Sequence, residues 1–226
     1  NYKITRVTDP GKAVNLKDAV NHSDNIYYAQ VALDLGSEKF INGLKNFGIG
    51  EELTFEYPME NSQISNDGEI NRDILLADTG YGQGEVMVTP LNIALFYSTL
   101  ANEGNMMQPR LVISENSEAK VWKENLISQN NLPILIDAFT AAVNDAGATL
   151  PDGAVPGHRV AGKSGTAEIK SSQDDADGTE NGWFVSTDPD SSKISISMII
   201  ENVKDRGGSH VTIPKVRNVM DYYLNR

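Results

Sequence analysis

Val160-Ala161-Gly162-Lys163-Ser164-Gly165-Thr166-Ala167-Glu168-Ile169 is the stretch on which the fold turns. It follows a loop punctuated by Gly147, Pro151, Gly153, Pro156 and Gly157, and it reads as a strand. Two further strand-like segments come after it, at 182–187 and 193–201. The last alternates at Ile194, Ile196, Met198 and Ile200, the period of a half-buried strand. Asp188-Pro189-Asp190 is the turn between them, and 171–180 is an acidic loop between the first two. Strands in sequential hairpins predict an antiparallel sheet. A final helix is expected from near Thr212, with Pro214 in its first turn, covering one face.

Upstream the sequence reads as helical. A short amphipathic turn or two covers 15–21. Ser23-Asp24-Asn25 then precedes Ile26-Tyr27-Tyr28-Ala29-Gln30-Val31-Ala32-Leu33, which Gly36 stops, and Ser37 caps a third helix to about Phe47. Residues 51–72 are polar and predict a long surface loop. A short helix at 73–78 leads into Gly80-Tyr81-Gly82-Gln83-Gly84. Thr89-Pro90 opens another helix, 110–113 and 120–122 are expected to pair as a hairpin, and 128–145 is a long helix with Leu132, Leu135, Ile136, Phe139 and Val143 on one stripe. The first residues, Asn-Tyr-Lys-Ile-Thr-Arg-Val, read as an interrupted strand. The class is α/β in the wider sense, α+β by segregation: a helical part, then an antiparallel sheet with helices against it.

The chain has 226 residues, ample for a hydrophobic core, with 39% hydrophobic and 22% charged residues. Its net charge of −12 repels nucleic acid and anionic lipid, so no nucleic-acid partner is expected. Zero cysteines exclude a disulfide scaffold, a thiolate zinc site and a thiol nucleophile. The most apolar stretch, 91–101, is about half the roughly 20 residues of a spanning helix.

Two short motifs carry the chemistry. Ser23-Asp24-Asn25 taken alone is a helix cap, since all three residue types cap well. Lys163-Ser164-Gly165-Thr166 taken alone is a strand with a glycine where something approaches closely. Their order changes the reading. Ser-x-Asn, a long insertion, then Lys-Ser/Thr-Gly on a strand resembles the signature of the penicillin-recognising acyl-serine enzymes. Gly80-Tyr81-Gly82-Gln83-Gly84-Glu85 with Thr89-Pro90-Leu91 resembles the segment between those motifs in class B penicillin-binding proteins. Gly182-Trp183-Phe184 is similar to the start of their next strand. The likeness is strongest to the low-affinity, methicillin-resistance type of Gram-positive bacteria, and it runs from about Asn15 to the last helix. A penicillin-sensing receptor domain and a serine β-lactamase stay open as alternatives. The long insertion and the Gly-Tyr-Gly-Gln-Gly segment favour the cross-linking enzyme over both.

The resemblance implies a penicillin-binding-protein/serine β-lactamase-like fold and a D-Ala-D-Ala transpeptidase. Such an enzyme cross-links peptidoglycan stem peptides through an acyl-serine and binds β-lactam antibiotics covalently, without cofactor or metal. It implies that Ser23 relays a proton, that Asn25 holds substrate backbone or a lysine, and that Lys163 attracts the substrate carboxylate. Ser164 and Thr166 then bond that carboxylate, Gly165 leaves room against the strand, and the Thr166 N–H serves the oxyanion hole. Tyr81, Gln83 and Glu168 are candidates to line the cleft. The family's Ser-x-x-Lys nucleophile motif does not stand upstream of Ser23. Ser117-Glu118-Ala119-Lys120 matches its spacing but falls in the wrong place, beside the expected hairpin.

Residues 1–226 are therefore expected to be the C-terminal portion of one transpeptidase domain, inactive alone. Its membrane anchor would lie outside the sequence, at the outer face of a bacterial cytoplasmic membrane. The strand at 193–201 is expected to show an open edge, which invites a marginal fold, intermolecular pairing or a completing second chain. Weaker signals fail. Gly80, Gly82 and Gly84 miss the dinucleotide pattern, Asp174, Asp175, Asp177 and Glu180 miss the EF-hand spacing, and His22, His158 and His210 have no ligand spacing.

Overall fold

The structure, a computed structural model, describes residues 2–114, 117–170 and 177–226. Helix α1 (Leu16–His22) starts where Asn15 and Asp18 cap one another reciprocally, and it ends at Ser23. Asp24 then caps α2 (Asn25–Leu35) by accepting from the Tyr27 N–H, and Gly36, at φ 79°, turns the chain into α3 (Ser37–Asn46). No side chain caps α3: the expected Ser37 cap is absent, because Ser37 is already inside the helix and Gly36 takes the cap position. Helix α4 (Asp73–Gly80) packs on α2. The two backbones approach so closely that a Cβ on Gly80 would lie 2.7 Å from Ala32 Cβ and 2.8 Å from the Tyr28 carbonyl oxygen. Only glycine fits there, and it sets where Tyr81 and Gln83 begin. Helix α5 (Pro90–Ser98) has Thr89 and Asn92 as a second reciprocal cap, with Pro90 at its first position.

Strand β1 (Met106–Met107) pairs antiparallel with β2 (Val121–Lys123). This corrects the expected hairpin: residues 110–113 form no strand, and Leu111, Val112 and Ile113 are exposed. Their apolar run imitates a strand but has no core to face. The opening residues are corrected too. Residues 2–7 belong to no strand and run as an irregular segment over the helical part.

Helix α6 (Leu132–Asn144) buries Leu132 and Val143 from the expected stripe. The sheet that follows has the order β3–β4–β5, all antiparallel: β3 (Ala161–Ile169), β4 (Thr179–Thr187) and β5 (Ser195–Ile200). β4 starts earlier than the expected residue 182, with Thr179, Glu180 and Asn181 opposite Ile169, Glu168 and Ala167. The expected acidic loop is thereby shortened, and residues 171–176 of it, Asp174 and Asp175 included, lie outside the described residues. Helix α7 (Ile213–Leu224) closes the chain, with Pro214 in its first turn as expected.

The register explains the packing. Phe184 sits opposite Met198, and Ser186 opposite Ile196, so these side chains share one face. On that face Phe184, fully buried, meets Val143 of α6 and Val216 and Met220 of α7 in one cluster, with Ile194, Ile196 and Met198 against it. On the other face α5 lies across the sheet, and the Ser195 hydroxyl donates to the Ala94 carbonyl at 3.0 Å. Both edge strands have a free side: among the described residues β3 and β5 each pair only with β4. Among the described residues no helix is long and apolar enough to cross a membrane.

Candidate active site

The free edge of β3 faces the helical part, and the two motifs meet there. Strand alternation puts Lys163 and Gly165 on one face of β3 and Ser164 and Thr166 on the other, so side chains from both faces flank the edge. Lys163 turns toward the junction of α1 and α2. Its Nζ donates to Ser23 Oγ at 2.5 Å, although the residues are 140 apart in sequence, and to the Ser164 carbonyl at 2.8 Å. Burial pushes the Lys163 ammonium down to about 8, because desolvation disfavours the charged form. A lysine near that value can hold charge at neutral pH and still release a proton.

Ser23 reaches Lys163 because of its backbone. It lies in the left-handed region at φ 51°, ψ 53°, a conformation that non-glycine residues seldom adopt and that clusters at functional sites. The capping role and the site role therefore coexist in Ser23-Asp24-Asn25. Asp24 is the helix cap, and its neighbours carry the groups that face outward. The Asn25 amide donates to the Thr5 carbonyl at 3.1 Å. Asp24 is fully buried and accepts from Arg6 Nε at 2.6 Å. Burial pushes its carboxyl up, but the Arg6 guanidinium and the Tyr27 N–H outweigh burial and hold it below the usual carboxylate range.

The Gly-Tyr-Gly-Gln-Gly turn supplies the third side. Gln83 Nε2 donates to the Thr166 carbonyl at 2.9 Å, tying this turn to the edge of β3. Tyr81 Oη donates to Asp78 Oδ1 at 2.5 Å, and Tyr2 Oη donates to the same oxygen. Burial, then the Asp78 hydrogen bond, push the Tyr81 phenol well above its ordinary value, so it stays protonated. Glu168 lies further along β3, largely exposed, and pairs with Lys170 at 2.6 Å.

Gly165 is informative because packing does not require it. It is exposed, its φ is not positive, and an added Cβ would meet nothing nearer than Trp183 Cβ at 3.7 Å. Open space against bare edge backbone is what an approaching ligand needs. Ser117 is elsewhere: it sits in irregular chain and its hydroxyl bonds that of Ser114 at 2.9 Å. Among the described residues no group of three or more His, Asp or Glu is placed to hold a metal ion.

The sequence gives no hint of Arg6, Thr5, Tyr2 and Asp78. Tyr2, Thr5 and Arg6 reach the site through tertiary contacts of an irregular segment, and Asp78, on α4, is the acceptor that Tyr2 meets there; no local pattern encodes those contacts. The arrangement brings together a serine hydroxyl, a half-buried amine and an accessible strand edge, groups of the kinds that acyl transfer uses.

A family model described as the penicillin binding protein transpeptidase domain matches residues 1–221. The chain belongs to that family. Penicillin-binding protein 3 of Bacillus subtilis is 42% identical over 216 residues, covering 96% of this chain and 32% of that protein. The peptidoglycan D,D-transpeptidase MrdA of Haemophilus influenzae is 30% identical, covering 94% of this chain and 36% of that protein. The chain thus spans about a third of the length of these relatives. The crystal structure of PBPA from Mycobacterium tuberculosis matches with a TM-score of 0.80 at 23% identity, over 93% of this chain and 49% of that one. The transpeptidase domain of Burkholderia pseudomallei penicillin-binding protein 3 matches with a TM-score of 0.79 at 21% identity, over 92% of this chain and 63% of that one. These structures share the α+β fold expected for the family.

Proposed function

We propose that this chain is the C-terminal portion of the transpeptidase domain of a peptidoglycan D,D-transpeptidase, of the low-affinity, methicillin-resistance type. The enzyme joins stem peptides at the outer face of the bacterial membrane and takes up β-lactams covalently. The observation that carries this reading is the Lys163 Nζ–Ser23 Oγ hydrogen bond of 2.5 Å, which brings two distant motifs to one strand edge.

In this account a nucleophilic serine outside residues 1–226 attacks the penultimate D-Ala carbonyl, an acyl–oxygen bond forms, and the terminal D-Ala leaves as its amine. Ser23 accepts and returns the proton that moves between nucleophile and leaving nitrogen, since a hydroxyl both donates and accepts. Lys163 attracts the substrate's terminal carboxylate, and its charge helps keep a neighbouring amine neutral. The Ser164 and Thr166 hydroxyls bond the same carboxylate. Gly165 leaves the strand edge open, and the Thr166 N–H stabilises the developing oxyanion. Losing one such donor typically costs about 10²–10³ in rate. Asn25 holds substrate backbone, while Tyr81, Gln83 and Glu168 border the cleft. The acyl group then passes to an amine of a neighbouring stem peptide, whose proton leaves by the same relay.

Intact mass after incubation with benzylpenicillin tests this, on the 226-residue chain and on a version extended upstream through a Ser-x-x-Lys motif. Only the extended chain should gain one penicilloyl group and keep it for hours. Acylation of the short chain, or of neither, overturns the reading.

A further inference from the structure

The middle residue of Ser23-Asp24-Asn25 carries a charge that the acyl-transfer account does not use. Asp24 is fully buried, and a buried carboxylate is strongly disfavoured unless it is paired. Three bonds fix it. Its Oδ2 accepts from Arg6 Nε at 2.6 Å, its Oδ1 accepts from the Tyr27 N–H at 3.0 Å, and its own N–H donates to the Ala19 carbonyl at 3.0 Å. Only the first comes from outside the two helices that the turn joins. Arg6 belongs to the irregular segment at 2–7, which the Asn25 amide grips one residue away through the Thr5 carbonyl.

Directly before Asp24 stands Ser23, in the left-handed conformation that lets its hydroxyl meet Lys163. A strained residue persists only where its surroundings over-determine it. Here those surroundings are the end of α1 behind Ser23 and the fixed Asp24 in front of it. Loss of the Arg6 charge leaves Asp24 to seek water or a proton. A carboxylate that swings out toward water turns the peptide that joins Asp24 to Ser23, whereas a neutral side chain there has no charge to carry outward.

We propose that Arg6 is a positioning residue for the Ser23–Lys163 pair. It neutralises Asp24, and the turn then keeps Ser23 in its left-handed backbone and its hydroxyl on Lys163. Arg6 acts through Asp24 and touches no reacting atom. The proposal rests on the acyl-transfer reading of this site. It also separates from a capping role, because Asp24→Asn keeps an acceptor for the Tyr27 N–H while removing the charge that Arg6 answers.

The test uses the full-length protein. Arg6→Met should slow acylation by benzylpenicillin about 10- to 100-fold, the range a small misplacement of a catalytic group produces, measured without denaturant where the protein stays folded, although loss of the buried pair lowers the urea midpoint. In an Asp24→Asn background the same substitution should add less than about twofold, because the coupled charge is gone. Arg6→Lys should return most of the rate, and it carries the test if Arg6→Met does not fold. A crystal structure of the Arg6→Met or Asp24→Asn/Arg6→Met protein reads the geometry independently of activity. The first should show Ser23 out of the left-handed region and its Oγ beyond hydrogen-bond reach of Lys163; the second should keep the pair. Four results overturn the proposal: unchanged acylation in Arg6→Met, equal loss in both backgrounds, a rate that falls only in step with the urea midpoint, or an intact Ser23–Lys163 contact without Arg6. If the unaltered protein takes up no penicillin, the acyl-transfer reading fails, and the crystal structures still decide the positioning claim.

Discussion

Lys163 Nζ and Ser23 Oγ lie 2.5 Å apart, one on the free edge strand of the sheet and the other on the turn between α1 and α2. The contact joins the sheet to the helical part where the strand edge is open. The ammonium is desolvated there, which is why its proton is held loosely.

That loosened proton gives the first prediction. Lys163 titrates near 8 in the folded chain against an ordinary 10.5. Between those values the unfolded chain binds more protons than the folded one. Stability therefore rises with pH from about 8 to 10.5, and the burial penalty is fully present below about 8. Urea unfolding across this range should show the rise, and Lys163→Met should lose the part that Lys163 contributes. An NMR titration of Nζ with a midpoint near 10.5 would contradict the assignment.

Gly165→Ala should separate stability from ligand binding. The nearest atom to the added methyl is 3.7 Å away and the backbone needs no positive φ, so the urea midpoint should hold. Penicillin acylation of the full-length protein should fall, because the methyl fills the open edge. A large loss of stability with normal acylation would refute this.

Gly80→Ala tests the close contact of α2 and α4. The methyl would meet Ala32 Cβ at 2.7 Å and the Tyr28 carbonyl oxygen at 2.8 Å. Overpacking of this kind typically costs about 1–3 kcal/mol, and it outweighs the helix-propensity gain of about 1 kcal/mol from removing a glycine. Urea unfolding should show net destabilisation; a stabilised variant would mean that the helices can separate freely.

Phe184→Ala probes the core that supports β3. Phe184 is fully buried and packs among α6, α7 and the inner face of β5. Truncation of such a residue costs about 3–5 kcal/mol, read as a lower urea midpoint. A change under 1 kcal/mol, well short of that range, would place the core elsewhere.

Where local chemistry decides, the fold is legible in the sequence. The caps at Asp24 and Thr89–Pro90, the stop at Gly36 and the alternation of Ile194, Ile196 and Met198 all lie within one helical turn or one strand, whereas Asn15, which caps α1, reads from the sequence as part of the helix it opens. The two motifs are legible as patterns for the same reason. Residues 110–113 mislead because an apolar run at the surface looks like a strand until its exposure is known, while the strand that forms, Met106–Met107, is too short for any periodicity. The start of β4 is hidden because Thr179, Glu180 and Asn181 are polar and do not alternate; cross-strand pairing with β3 makes them a strand. Arg6 and Tyr2 are invisible at the site because their partners, Asp24 and Asp78, are chosen by the tertiary path of the 2–7 segment, while the Tyr81–Asp78 bond is a local contact three residues apart at the end of α4.

The most direct test of the account is a double-mutant cycle on penicillin acylation of the full-length protein, with Lys163→Ala, Ser23→Ala and the pair together. Groups that act as one unit are strongly non-additive. Each single variant should therefore lose about 10²-fold or more, and the double variant should lose little beyond the worse single one. Two losses that multiply in full, or acylation at the normal rate without either residue, would show that the Lys163–Ser23 contact is not the centre of the site.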